Sequence, residues 1–377
     1  MTSRERLLTA LRGGMPDRLP VTTHHLMSYF LNKYTGGMKG LAFHKQFGFD
    51  PVVWSIGPVA NEKAGQYYDS KANMICDDNW RPEVEMLPDT RYRSRRVTIH
   101  TPGGDLTTVL SENDVTEWIT EHLIKNEKDM DLYLKYCPLY YADVAGCNAL
   151  AESAGEDALV RGAVVSAQPY GQPGVFQDMA CLIGIQDLIL DCYDDPDWVK
   201  ECEHAIMERK LVYVRSLKGA KMDLIEDGGG DGSCSVISPS MFLEFVQPYD
   251  KPVVDALHES GILVVYHTCG KMMPILEDIA DMGVDAMETF TPVSMGADAD
   301  LREAKRRIGN RVCMIGGFDQ SSDLKGCSEA QTREAVRRCF AEAGENGAFI
   351  LSPSDHFFDV DLNLIEAMTD EAHKCLY

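Results

Sequence analysis

Gly261-Ile-Leu-Val-Val-Tyr-His-Thr-Cys-Gly270 is a short apolar run held between two glycines. Upstream, Pro252 to Ser260 reads as an amphipathic helix that stops at Gly261, a residue free to adopt the conformation that ends helices. Downstream, Gly270 lets the chain turn away. A buried strand preceded and followed by helical sequence is the repeating unit of a parallel sheet. Seven further runs have the same character: Leu19–Thr23, Pro51–Ile56, Leu159–Ser166, Met222–Glu226, Val284–Thr289, Val312–Gly316 and Ala348–Ser352. Helical patterns lie between most of them, one starting at Ser238-Pro239 with serine as N-cap and proline at the first helical position. Eight such strands predict an α/β fold of the (β/α)8 TIM-barrel type. An open doubly wound sheet competes, but no GxGxxG turn follows a strand. Arg93–His100, Thr101-Pro-Gly-Gly-Asp105 and Leu106–Leu110 predict a β-hairpin inserted after the second strand. Residues 111–158 read as mostly helical and acidic. The insertion spans roughly residues 76–158 of a single elaborated domain, 1–377, in which no linker, repeat or low-complexity segment stands out.

Composition narrows the function. Of 377 residues, 45% are hydrophobic and 25% charged, which excludes wholesale disorder. Thirty-six basic residues against 59 acidic ones leave a net charge of −23, which repels a phosphate backbone and excludes nucleic acid as a partner. No apolar run approaches the roughly 20 residues needed to cross a bilayer. Met1-Thr-Ser-Arg-Glu-Arg6 lacks the apolar core of a signal peptide, so a cytoplasmic location is expected. The 12 cysteines include no CxxC pair and read as reduced thiols.

Residues two apart on a strand point to the same side, so His267 and Cys269 converge where a buried strand ends. In a parallel barrel those ends form the active-site face. An imidazole and a thiol there resemble half of a zinc site; a satisfied core histidine beside an inert thiol is the competing reading. Other strand ends add ionisable groups: Glu226 and Asp227 before a glycine loop, Glu288, Asp319 after Gly316-Gly-Phe, and Asp355-His356. The first strand runs into His24-His25, and the second carries Trp54. So many polar groups at buried strand ends are costly without a shared purpose, although a structural ion-pair network is an alternative. Arg91-Tyr-Arg-Ser-Arg-Arg96 reads as a solvated hairpin face before an anion grip. Gly228-Gly-Gly-Asp-Gly-Ser233 lacks the lysine of a P-loop, and its acidic neighbours repel phosphate. Gln168-Pro-Tyr-Gly-Gln-Pro-Gly174 reads as a pocket wall or a plain loop, and His258 as a solvent-facing helix residue.

Several stretches resemble the uroporphyrinogen decarboxylase superfamily: Glu5-Arg-Leu-Leu-Thr-Ala-Leu-Arg12, Pro16-Asp-Arg-Leu-Pro-Val21, Ile237-Ser-Pro-Ser-Met-Phe242, Gln247-Pro-Tyr249, the His-x-Cys-Gly turn, Gly283-Val-Asp-Ala286 and Gly316-Gly-Phe-Asp319. The resemblance implies a (β/α)8 barrel with its active site in the mouth. Within that superfamily, His267-x-Cys269 resembles the zinc methyltransferase branch, which moves methyl groups to or from a corrinoid. The arginine-rich substrate motif of true uroporphyrinogen decarboxylases is replaced here by His24-His25-Leu-Met-Ser28. The third zinc ligand of the coenzyme M type, a cysteine, is replaced by Ser352-Pro-Ser-Asp-His356. The resemblance therefore implies zinc held by His267, Cys269 and either Asp355 or His356.

A set with one thiolate donates less charge than a set with two, leaving the metal a stronger Lewis acid suited to an ether oxygen. The implied reaction takes a methyl group from a small methylated donor, preferably an aromatic methyl ether. Glu226 or Glu288 would serve as acid, with His24, Trp54, Tyr170 and Phe318 as substrate contacts. The chain has no Asp-x-His-x-x-Gly corrinoid motif, so the corrinoid would arrive on a separate protein, with the basic hairpin as one contact. A second copy of the chain is a further candidate partner. Competing functions are a metal-free decarboxylase acting on a smaller acid, a methylcobalamin:thiol methyltransferase, and a non-catalytic tetrapyrrole-binding protein.

Overall fold

In the computed structural model of the protein, residues 1–55, 58–59, 65–88 and 91–377 are described. Seven parallel strands form one curved sheet in chain order: Val52–Trp54, Leu159–Ala163, Leu224–Gly228, Leu263–His267, Ala286–Thr289, Cys313–Phe318 and Phe349–Pro353. Each overlaps an expected strand, with ends moved by a few residues. Ile56, the expected end of the first of these, lies outside the described residues.

The eighth expected strand, Leu19–Thr23, is extended chain that pairs at a single bridge, Val21 with Leu351. Thr22 N–H donates to the Leu351 carbonyl (2.9 Å) and Leu351 N–H to the Pro20 carbonyl (2.9 Å). Pro20 has no N–H with which to continue a ladder. On its other edge Val21 meets one residue instead of a strand. Its carbonyl accepts from Asp50 N–H (2.7 Å), and its own N–H donates to Asp50 Oδ2 (3.1 Å). The fully buried Asp50 carboxylate is in turn paired with Arg6 (2.7 Å) and Arg18 (3.0 Å). The barrel is thus closed partly by a side chain.

Alternation along the strands divides the interior into two layers. Val52, Leu159, Leu224, Val265, Ala286, Cys313, Ile315 and Ile350 point inward and pack with Leu7, Leu8 and Leu11 of the helix Ser3–Leu11. The alternate residues, among them Val264, Tyr266, Met287, Met314 and Phe349, join the larger core beneath the surrounding helices. Ser238 caps the helix that follows it, accepting from Met241 N–H at 3.2 Å. That helix continues through a π turn, Phe242–Val246, into Gln247–Glu259, with Pro252 in its interior rather than at its start. Burial of Val253, Val254, Ala256 and Leu257 outweighs proline's helix penalty of about 3 kcal/mol.

The expected hairpin is the centre of a four-stranded antiparallel sheet: Arg81–Leu87, Arg93–Thr101, Gly104–Glu112 and Glu117–Glu121. Residues 111–158 therefore begin with a strand before the helices Glu127–Tyr136 and Val144–Ala154. The outer strands carry a weak apolar signal: in Arg81-Pro-Glu-Val-Glu-Met-Leu87, Pro82, Val84 and Leu87 are only half-buried and the rest are exposed. The basic run is neutralised inside this sheet: Arg93 pairs with Glu112 (3.1 Å), Arg95 with Glu117 (2.5 Å) and Arg96 with Glu85 (3.3 Å). It forms a solvated sheet face, not a free anion grip. All 12 cysteines are free thiols, and no helix of the described residues is long and apolar enough to cross a membrane.

Behind the strand Leu224–Gly228 lie three buried acids, Asp227, Asp250 and Glu203. Asp250 accepts from Val175 N–H and the Tyr266 hydroxyl, both at 2.9 Å. Neither Asp227 nor Glu203 has a hydrogen-bond partner among the described residues. Burial pushes Asp250 up to about 6 and holds Glu203 and Asp227 well above the usual carboxylate range. Acids raised on folding hold their proton more tightly in the native state. The stability they contribute is complete below about pH 4 and is lost as pH rises through their folded values. Glu203→Gln should therefore be more stable than the parent at pH 8, by about 2 kcal/mol, and match it near pH 4. Denaturant titrations at the two pH values check this; a variant equally or less stable at pH 8 refutes it.

Candidate active site

The inward-facing position two residues beyond each floor residue reaches the C-terminal mouth of the barrel. There the apolar series Val52, Leu159, Leu224, Val265, Ala286 and Ile350 becomes Trp54, Arg161, Glu226, His267, Glu288 and Ser352. Strand register places Arg161 beside Trp54 and Glu288 beside His267, while Glu226 faces Ala163. An apolar floor carries a charged layer.

Arg161 is the hub of that layer. Its Nη1 donates to Glu288 Oε2 (2.9 Å), and its Nη2 donates to Glu288 Oε1 and Glu226 Oε2 (2.5 Å each). All three side chains are buried. Glu288 Oε1 also lies 2.9 Å from His267 Nδ1 and 3.4 Å from His24 Nδ1. Burial would raise the Glu288 carboxyl, but Arg161 and then His24 and His267 hold it well below the usual range. Glu288 is thus an anion that orients His267. Of the two acids expected from sequence, it is the one unsuited to donate a proton. Burial lowers the His24 imidazole far below its ordinary value, and His24 Nδ1 has no hydrogen-bond partner among the described residues. Burial alone would lower His267 too, but the Cys269 thiol and the Glu288 carboxylate beside it raise it well above the ordinary value.

Among the described residues, the ligand-type atoms that all fall within 4.8 Å of one another belong to His24, Glu226, His267 and Glu288. Cys269 adjoins this group at the solvent-exposed end of its strand. Its sulfur lies so close to Gly230 that a Cβ there would approach it to 2.7 Å. The ring of His356 is 5.6 Å from that of His24, which is 5.0 Å from that of His267. His356 Nδ1 faces the His25 carbonyl at 3.3 Å, which leaves its Nε2 free. Asp355 is exposed, and its carboxylate accepts the backbone N–H of His356 (2.6 Å).

Three aromatic contacts expected from sequence part company. Trp54 forms a wall of the mouth, with His25 stacked on one side (4.0 Å between centroids) and the Arg161 guanidinium 4.5 Å from its ring centre. Burial and the charge of Arg161 lower His25 to about 3, so this stack is neutral on its histidine side. Tyr170 lines a separate cavity beyond the strand Leu159–Ala163. Phe318 is fully buried in the layer beneath the helices. Its parity is opposite to that of Cys313 and Ile315, so it cannot serve as a ring contact in the mouth. Arg161 was the residue missed. Its signal was present: it is the one charge within Leu159–Ser166, and a charge in a buried strand demands partners.

A solved methyltransferase from Methanosarcina mazei superposes on the chain with a TM-score of 0.65 at 16% identity, over 99% of both chains, which places the fold. A uroporphyrinogen decarboxylase of Thioalkalivibrio sulfidiphilus is 27% identical over 188 residues, 48% of this chain and 50% of the relative. A methylcobamide:CoM methyltransferase MtaA of Methanosarcina barkeri is 26% identical over 117 residues, 31% of this chain and 32% of that protein. The chain thus spans half or less of the length of these curated relatives. The family described as uroporphyrinogen decarboxylase (URO-D) matches residues 174–375, more than half of the chain and the part that supplies Glu226, His267, Cys269, Glu288 and His356. With the barrel and the matched strands in agreement, the chain belongs to the uroporphyrinogen decarboxylase family.

Proposed function

We propose that this protein is a methyltransferase that takes a methyl group from a small methyl ether and delivers it to the cobalt of a corrinoid carried by a separate protein. The observation that supports this is the exposed Cys269 thiol beside a His267 whose Nδ1 is fixed by an ionised Glu288. With Nδ1 held by the carboxylate, Nε2 is the His267 nitrogen left for a metal, as in a carboxylate–histidine pair behind a metal. Once His267 gives up its proton to bind a metal, Arg161 offsets only one of the two carboxylates, and a divalent ion meets the charge that is left. His24 Nδ1, buried without a partner, is a further unsatisfied atom at the same spot.

His267 and Cys269 would hold zinc, with His356, Asp355 or Glu226 completing the set. Bound there, zinc supplies a Lewis acid for the ether oxygen. The protein's own groups do the rest. Arg161 and Glu288 keep His267 oriented. Trp54 and His25 narrow the mouth against water. Glu226, the carboxylate not bound to a histidine, would pass a proton from water to the departing oxygen.

Metal analysis of the protein purified without added zinc, repeated on Cys269→Ala, tests this reading. One zinc per chain is expected in the parent. Loss of an outer-sphere group typically costs 10–100-fold in metal affinity, so loss of the thiolate should cost more than about 100-fold, and methyl transfer to cob(I)alamin should fall with it. Metal-free protein that releases CO2 from a carboxylic acid would instead establish a decarboxylase. Transfer confined to thiols would establish a thiol methyltransferase.

A further inference from the structure

The inserted sheet and the Ser166–Pro173 loop flank the cavity that Tyr170 lines beyond the strand Leu159–Ala163. Its walls include Tyr68, Met74, Tyr140 and Tyr170, with Ser166 and Gln168 as polar points. At one end lies Ala163, the register partner of Glu226 and the residue two beyond Arg161 on the same inward side. Among the described residues, no lysine, arginine or histidine lines the cavity, and the acid that does, Glu117, is already paired with Arg95 at 2.5 Å. Ser166 Oγ is buried without a hydrogen-bond partner. The Gln168 amide nitrogen is committed to Asp178 (2.6 Å), so its oxygen is the end left for a ligand.

We propose that this cavity seats the uncharged aromatic ring of the methyl donor and selects aryl methyl ethers that carry no anionic group. The wall combines tyrosines and aliphatic groups with the uncharged amides of Asn73, Gln168 and Gln172, which suits a neutral ring packed against tyrosines. A carboxylate or phosphate placed here would lose water without gaining a cation, a penalty of several kcal/mol. The Ala163 end places the methoxy group next to Glu226.

The proposal rests on the methyltransferase reading for the chemistry alone. In that step the O–CH3 bond breaks and the methyl carbon bonds to cobalt(I) through the metal's electron pair, leaving cobalt(III). The aryl oxide takes a proton from water, passed along the Glu226 carboxylate, and cobalt is the reductant that balances the transfer.

Calorimetric titration of the purified protein with 1,2-dimethoxybenzene and 3,4-dimethoxybenzoate tests the selection. The neutral ring should bind at least tenfold more tightly than the benzoate. Tyr170→Ala should weaken the neutral ring at least tenfold with zinc content unchanged, while Tyr170→Phe, which keeps the ring, stays within about threefold of the parent. Equal or tighter binding of the benzoate overturns the proposal, as does a Tyr170→Ala variant that binds like the parent while unfolding at the parent's temperature. Methyl transfer from non-aromatic ethers with no binding of either ring defeats the cavity and spares the methyltransferase. Tyr170-dependent ring binding with no zinc and no transfer does the reverse.

Discussion

Arg161→Ala should destabilise the protein by about 3–5 kcal/mol, the usual loss when one partner of a buried ion pair is removed and the other charge is stranded. The loss is expected to reach this range because the guanidinium serves two carboxylates at once, Glu226 and Glu288, and lies on Trp54 as well. Without it two buried anions are left together, with only His24 and His267 nearby to share a proton. Arg161→Lys should recover little, since an ammonium cannot make the forked contact to Glu288. Combining Arg161→Met with Glu226→Gln and Glu288→Gln should regain most of the stability, because no buried charge is then unpaired. Urea titrations of the three variants decide the matter. An Arg161→Ala protein within 1 kcal/mol of the parent would mean that water already enters this layer.

Asp50→Ala should cost a similar amount, about 3–5 kcal/mol, for the same physical reason at the opposite end of the barrel. Asp50 neutralises Arg6 and Arg18 and accepts the Val21 N–H that no neighbouring strand can take. Hydrogen exchange separates this loss from a general one. The Thr22 and Leu351 amides, which donate across the seam, should lose protection before those of Val265 or Met287 in the middle of the sheet. Uniform loss of protection would show that Asp50 is not the clasp.

The barrel was legible because its strands are buried on both faces and so appear as short unbroken apolar runs, as Leu263–His267 does. The seam was only half legible. Leu19–Thr23 has the composition of a strand, but Pro20 and the side chain of Asp50 decide that it pairs at one residue. The inserted sheet was seen through its central hairpin and not through Arg81–Leu87, whose alternation of polarity runs only from Arg81 to Glu85 and whose inner face, at Pro82 and Val84, is only half-buried. For the site, parity along a strand placed His267, Glu226 and Glu288 on one side, and parity also removed Phe318, a residue chosen for its aromatic ring without regard to the face it occupies. Arg161 is not legible from strand ends, because it sits in mid-strand, where the charged layer begins.

The clasp at Val21, Asp50 and Leu351 also sets a timetable. As the nascent chain emerges, each strand after Val52–Trp54 can associate with a neighbour that is already made, yet position 21 must wait for position 351. Until then the open fan exposes the inward faces of Val52 and Leu159 at one edge, a sticky margin late in synthesis. A cell making this protein quickly would therefore depend on chaperones that shield one edge of an unfinished sheet.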